Sequence, residues 1–469
     1  MIEIESALQN LDRAAMARLL ERIYGIHHDI DEIIESHIES AGFAPGESNN
    51  VAASMMRRIE QIASEHEFVG YRQSYAFAGR LRSLLEDIDT LLREQEAIAA
   101  LESTERFLQL IEPVMNRVDD SGGDLGEVFR QAVDQWLDTA AQVRAVSPGH
   151  LNWVEKVLYF FDHNDYGCLD NIISHSRKLL SEEELRQLAW RFENEARKAL
   201  ASQANDRDYN SAAAHACLGL RSVAEALDDM GLYEKSTLIA SPEPNHRQLE
   251  SIIQFALEIN DLERADYWLQ QPQWQGDPAR QSRLRAELLR QQGCIEQLKA
   301  HLLQAFLDRP SESTLGHYWG FASEQERAGI KQQAETMARE CDDPANAIGM
   351  LLTLGNTLLA AETAIDRADS LPARLYSTMQ EWAEQFEAAG QTLAAAVCYR
   401  ALLTDLLGRG YSKAYHHGAR YFHKLIELDR HIDDYGGLAD GEAFIRQLQK
   451  QHWRKRAFWA GAGYPNKSP

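Results

Sequence analysis

From Leu218 to Asp429, apolar residues recur at helical spacing in short runs, each stopped by a turn residue and restarted within a few positions. The stretches LGLRSVAEALDDMGLYEKS, IIQFALEINDLERADYWL, RLRAELLRQQGCIEQLKAHLLQAFL and MQEWAEQFEAAGQTLAAAVCYRALLTDLL share one form. Each is a helix, a turn (at Gly231, Asn260, Gly293 and Gly390) and a second helix. A pair of this kind leaves an apolar face that only another pair can cover, so successive pairs stack. The pairs are spaced by about 35–45 residues, the range of tetratricopeptide and HEAT-like units. Neither consensus is met position by position, although AGQTLAAAVCYRALL at 389–403 comes nearest to a tetratricopeptide helix. No stretch alternates with period two for long enough to make a sheet. The pattern predicts an all-α protein, an irregular α-solenoid of tetratricopeptide-like helix pairs.

Upstream, the first forty residues predict two helices, with Leu8, Leu11, Ala15, Leu19 and Ile23 on one stripe and Ile26, Ile30, Ile33, Ile34 and Ile38 on the next. GFAPGESNN at 42–50 predicts a linker. A strong stripe follows at Leu81, Leu84, Leu85, Ile88, Leu91 and Leu92, and DDSGGD closes the region at 119–124. Three or four helices are predicted from Leu125 to Leu200. SPGH at 147–150 is a break, with Pro148 placed as a first-turn proline. Ser181 with Glu184 is a capping box. ASPEPN at 240–245 and DDYGGLAD at 433–440 mark later breaks. The predicted regions are 1–118, 119–240, the repeat array 241–432, and a C-terminal helix with its tail, 433–469.

Charge changes this picture in one place. The chain carries a formal −24 over 469 residues, which repels nucleic acid and anionic lipid because neither can release counter-ions to it. After Glu442, however, Arg446, Lys450, Arg454, Lys455, Arg456 and Lys467 face no acid, so the tail carries +6 and the rest −30. No run approaches the roughly 18 apolar residues of a membrane span, and the acidic start MIEIESALQNLDR lacks the form of a secretory signal. Five cysteines, scattered singly, argue against a disulfide framework or a CxxC zinc site. A reducing cytoplasm is the expected location.

Candidate chemistry is sparse. DHNDYGCLDNII at 162–173 has acceptors at calcium-loop positions 1, 3 and 9, but Tyr166 and Ile173 stand where two further ligands belong. An acidic turn is the expected role. In HHDIDEIIESH, His28, Glu32, Glu35 and Glu39 share a helical face opposite the isoleucines, the arrangement of a solvated side. His416, Arg420, His423 and Lys424 fall near one face of YSKAYHHGARYFHKL, with Tyr415 beside them. His416 and His423 lie about 10 Å apart along a helix, too far for one tetrahedral metal, so a patch facing an anion or a partner is the functional alternative to ordinary packing. HWRKRAFW at 452–459 interleaves Arg454, Lys455 and Arg456 with Trp453, Phe458 and Trp459. Such a segment either stacks single-stranded bases or docks on an acidic array with aromatics inward and cations on carboxylates. Phosphate-binding glycine loops, GxSxG and HExxH are absent, and no cofactor or metal is expected.

Three blocks carry a family resemblance: LDRAAMARLLERIYGIHHDIDEII, DYGCLDNIISHSRKLLSEEELRQLAWRFENEARKAL and YHHGARYFHKLIELDRHIDDYGGLADGEAFIRQLQKQHWRKRAFW. The chain resembles a bacterial family of uncharacterised helical proteins labelled as a domain of unknown function, some of which are similar to helical regions attached to SWIM zinc fingers. The resemblance implies a tetratricopeptide-like α-solenoid in a bacterial cytoplasm and implies no activity. A SWIM zinc site needs a CxC pair that this sequence lacks. Taken together, the expectation is a non-enzymatic scaffold for a basic or amphipathic protein or peptide partner, with no membrane contact. The alternative is a nucleic-acid-associated regulator or defence-type protein acting through the terminal segment. The residues singled out for partner contact are His416, Arg420, His423, Arg454, Lys455, Arg456 and Trp459.

Overall fold

The structure, a computed structural model, describes residues 48–90, 96–202 and 210–465. The two N-terminal helices, the His28 stripe, Leu91, Leu92 and Lys467 lie outside the described residues. What is described is all-helical, and its sole β-type pairing is an isolated parallel bridge between Val69 and Val118. No helix among the described residues is long and apolar enough to cross a membrane.

The chain divides into two compact units, Met1–Gly276 and Asp277–Pro469. In the first, the helices are α1 Ser48–Ser64, α2 Tyr71–Ile88, α3 Ala97–Leu108, α4 Ile111–Met115, α5 Asp124–Val146, α6 Trp153–Asp162, α7 Glu182–Ala201, α8 Ser211–Leu227, α9 Met230–Leu238, α10 His246–Glu258 and α11 Leu262–Leu269. In the second they are α12 Pro278–Gln291, α13 Ile295–Asp308, α14 Glu312–Phe321, α15 Glu324–Glu340, α16 Pro344–Thr353, α17 Thr357–Asp366, α18 Tyr376–Ala388, α19 Thr392–Arg409, α20 Tyr415–Asp429, α21 Gly441–His452 and α22 Arg456–Gly461.

The boundaries expected at 118/119, 240/241 and 432/433 all fall inside these units, and packing explains each. One continuous core runs from Met55 to Ala226 and includes the stripe of Leu81, Leu84, Leu85 and Ile88. Across 240/241, Tyr233 stacks on Phe255 with centroids 4.1 Å apart, and Glu234 bonds to Arg264 and Trp268. Across 432/433, Phe458 and Trp459 enter the same core as Phe422. A sequence break marks a turn, which need not be the edge of a core.

Local signals account for the helix ends. Ser181 and Glu184 form the expected capping box at the start of α7. Two readings change. Ser48, expected in a linker, already opens α1. Pro148 is not a first-turn proline, because Asn152 caps α6 by accepting from the Glu155 N–H.

One turn recurs along the chain. At Asp228, Asn260, Gly293, Gly355 and Gly390 the backbone enters the left-handed region, with φ between +53° and +72°. In each case the next residue's N–H bonds to the carbonyl five positions back, at 2.7–3.0 Å: Asp229 to Ala224, Asp261 to Ala256, Cys294 to Leu289, Asn356 to Leu351 and Gln391 to Phe386. This satisfies a carbonyl that the helix end would leave bare. From Asp228 to Gly390 the turn returns about every 31–35 residues, with one place skipped between Gly293 and Gly355, and it occurs again at Gly463, where the Tyr464 N–H bonds to the Trp459 carbonyl. Asp229, Asp261 and Asn356 then also cap the following helix. Gly231, expected as a turn residue, instead sits in the first turn of α9, because the Asp229 carboxylate takes the Leu232 N–H and starts the helix at Met230.

Helices α7 and α8 approach each other closely. A Cβ added at Gly219 would lie 2.5 Å from the Phe192 ring, and that buried ring is held edge-on by Phe161 at 5.4 Å. Gly219→Ala is therefore expected to lower stability by about 1–3 kcal/mol in denaturant unfolding. Gly79→Ala, at a helical site with no atom within 4 Å of the new carbon, should raise it by roughly 0.5–1 kcal/mol. Equal effects at the two sites would disprove the close-packing account.

Candidate functional site

Helix α20 is amphipathic. Ala419, Phe422, Leu425 and Leu428 are buried, while His416, His417, Arg420, His423 and Glu427 are exposed. Its buried side approaches α19 and α22 so closely that a Cβ at Gly418 would lie 3.2 Å from Leu406 and 3.3 Å from Phe458. The helix is thus fixed against two neighbours, and its polar face borders an open groove of about 710 Å³ floored by Ala457 and Gly461 of α22.

Several polar side chains here have a defined anchor. His416 Nδ1 lies 3.0 Å from the Lys413 carbonyl, and its ring meets that of His417 at 3.9 Å. Burial, then the charges of His416 and Arg420, hold the His417 pKa below the usual imidazole range. Arg420 donates to Gln380 Oε1 at 3.0 Å and its guanidinium lies 5.6 Å from the Tyr421 ring centre. His423 Nε2 donates to the Ala462 carbonyl at 2.9 Å, tying α20 to the end of α22. Lys424 pairs with Glu387 at 2.9 Å, and Tyr399 donates to the other oxygen of that carboxylate at 2.7 Å. The bond from Lys424 to Glu387 raises the Lys424 pKa above its ordinary value, keeping its charge.

The structure therefore brings His416, Arg420, His423 and Lys424 onto one groove, with Lys413 beside them. The terminal cations behave differently from one another. Lys455 donates to the Leu407 carbonyl, where a cation suits the C-terminal end of α19. Arg454 is exposed and lies over Trp453 at 5.1 Å. Arg456 is exposed, and its side chain has no polar partner among the described residues. Trp459 is 1 % exposed and donates from Nε1 to the His452 carbonyl at 3.0 Å. Phe458, also buried, lies edge-on to Phe422. Phe458 and Trp459 face inward while Trp453 is half-buried, and Lys455 meets a carbonyl where a carboxylate partner was expected.

Sequence reading missed Gln380 and Glu387, which sit about forty positions before their partners on α20. Only the pairing of α18 with α20 brings them together. His417 was passed over because helical spacing places it between the polar and buried faces.

The acidic turn and other histidines are held by structural bonds. In the acidic turn, Asn164 donates to Asp170 and accepts from the Leu169 N–H, Gly167 takes a left-handed φ of +69°, and Asp162 pairs with His215 at 2.9 Å. His175 meets Asp134 at 2.6 Å, and His301 lies 2.8 Å from the Ser282 carbonyl. Burial pushes the Cys168 thiol to about 11 and Cys398 to about 12, so both stay protonated at neutral pH. Among the described residues no group of three or more His, Cys, Asp or Glu is placed to hold a metal ion.

The family of unknown function DUF6880 matches residues 7–461, and the chain belongs to it. No curated protein and no solved structure matches.

Proposed function

We propose that this family member is a non-enzymatic helical-repeat scaffold that holds a protein partner in the bacterial cytoplasm. The observation that carries the reading is the recurring left-handed turn with its five-back hydrogen bond, at tetratricopeptide-like intervals. A second observation supports the reading. Gln380 and Glu387 of α18 meet Arg420 and Lys424 of α20 in the same chain order, so these two helices run parallel. Parallel first helices are what a tetratricopeptide-like solenoid requires, and their outward faces form a ready surface for an extended partner. The expected resemblance to helical regions of SWIM zinc-finger proteins enters this reading only through the helical array. Five unpaired thiols fit a reducing compartment.

The net charge of −24 favours a partner that is basic or amphipathic over most of its contact and that associates less strongly in salt. The nucleic-acid reading draws less support, since Phe458 and Trp459 are buried and offer no stacking platform. Affinity purification of the tagged chain from its native cells, with cross-linking before lysis, tests the proposal. A stoichiometric protein cross-linked to the α18–α20 face is the expected result. Finding no protein at low as well as high salt would sink the scaffold reading. Nucleic acid that is lost when Arg454, Lys455 and Arg456 are neutralised would replace it with the alternative.

A further inference from the structure

Resting on the scaffold reading, we infer that the groove along α20 receives an acidic segment of the partner, two or three neighbouring Asp or Glu side chains held by Lys413 and Arg420. The argument begins with a local inversion of charge. In a chain of net −24, this groove presents Lys413, Arg420 and Lys424 against the single carboxylate of Glu427.

These cations are not equally engaged. Lys424 is neutralised by Glu387. Arg420 meets the neutral amide of Gln380 and the face of the Tyr421 ring, and its other N–H groups make no hydrogen bond among the described residues. The Lys413 ammonium likewise has no polar partner among the described residues and stands exposed at the groove's end. Two positive charges with unused donors thus border one groove, whose walls α19 and α22 hold in place. Charge-assisted hydrogen bonds to carboxylates are the strongest use of such donors.

A peptide is favoured over a nucleic acid by what lies alongside. Glu384 and Glu387 of α18 and Glu427 of α20 are close enough to raise the Lys424 pKa. A polyanion tracking the cations would be driven across these carboxylates. A peptide can place its acids on Lys413 and Arg420 and then turn neutral or basic beside Glu384 and Glu427. A partner that is basic elsewhere would thereby be fixed in register, since charge mismatch penalises the wrong one.

The test is fluorescence anisotropy on the full chain at ~50 mM salt, where surface charge is only partly screened. The probes are labelled twelve-residue peptides carrying a Glu-Glu-Glu run, the matching Gln-Gln-Gln run or Lys-Lys-Lys run, and a labelled single-stranded oligothymidine. The Glu peptide should bind saturably and at least tenfold more tightly than the Gln peptide. Lys413→Glu with Arg420→Glu should weaken it at least tenfold, and Lys413→Gln with Arg420→Gln severalfold. Lys331→Glu with Arg374→Glu, at exposed sites elsewhere, makes the same change in net charge and should leave binding within twofold of wild type. Helical content by circular dichroism checks that each variant is folded.

Absence of Glu-peptide binding, or equal loss in the control pair, overturns the inference. Oligothymidine binding that the groove variants abolish would assign the groove to nucleic acid instead. A cellular partner retained by the folded groove variants removes the acidic-segment assignment while leaving the scaffold reading standing. Failure of the wild-type chain to capture any protein removes the scaffold reading itself.

Discussion

Glu234→Ala should destabilise the first unit by about 2–4 kcal/mol, lowering its thermal midpoint by roughly 5–15 °C. Glu234 is 8 % exposed and sits on α9, with α10 between it and α11 in the chain. Its two oxygens accept from Arg264 Nε and Nη2 at 2.6 Å each, and Oε1 also accepts from Trp268 Nε1 at 2.6 Å. The guanidinium lies over Tyr267 at 4.7 Å. Removing a buried carboxylate strands its donors, and the loss exceeds what the pair contributes net. Arg264 is partly exposed and can recover water, which places the estimate below that for a fully buried pair. Trp268, 6 % exposed, cannot recover its acceptor so readily. Glu234→Gln keeps one oxygen for the indole and should cost about half as much. Denaturant melts of Glu234→Ala, Arg264→Ala and the double variant should show coupling above about 1 kcal/mol. Additive losses would mean that the contact does not join the two helices energetically.

This contact also shows where sequence reading stops. Helical periodicity and capping chemistry are local, so the all-helical class, the stripe at Leu81–Ile88 and the Ser181 capping box were legible. The turn at Asn260 was legible because a single residue carries it. The turn at Asp228 was not, since aspartate takes a left-handed φ far less readily than glycine, and nearby Gly231 looked the better candidate. Gly355 went unread for a different reason: helices α16 and α17 on either side of it are short, each ten residues long, and they leave little periodicity to frame a break. Register between helices lay beyond reach. Glu234 with Arg264, and Gln380 with Arg420, depend on which helices stack and at what offset, and single-chain periodicity carries neither. The same limit applies to the groove: His416, Arg420 and His423 could be placed on one face, but the meeting of Arg420 with the neutral Gln380 needed α18 beside it.

Trp459→Ala should cost the second unit about 3–5 kcal/mol, a structural loss at a position first singled out for partner contact. The indole is 1 % exposed, packs with Phe422 at 5.8 Å and Tyr464 at 6.3 Å, and donates to the His452 carbonyl. Truncation opens a cavity in the core shared by α20 and α22, and α20 carries the groove through the His423 bond to Ala462. Peptide binding should therefore weaken alongside stability, and conditions that restore folding should restore both. Arg454→Gln with Arg456→Gln alters exposed side chains on the same segment and should change stability by less than about 0.5 kcal/mol. Calorimetry on the two variants separates the roles of the segment. A large loss for Trp459→Ala with none for the arginine pair makes the tail a brace for α20, its exposed cations incidental to folding. A Trp459→Ala chain that melts like wild type would show that the indole does not anchor this core, and would return Trp459 to the candidates for partner contact.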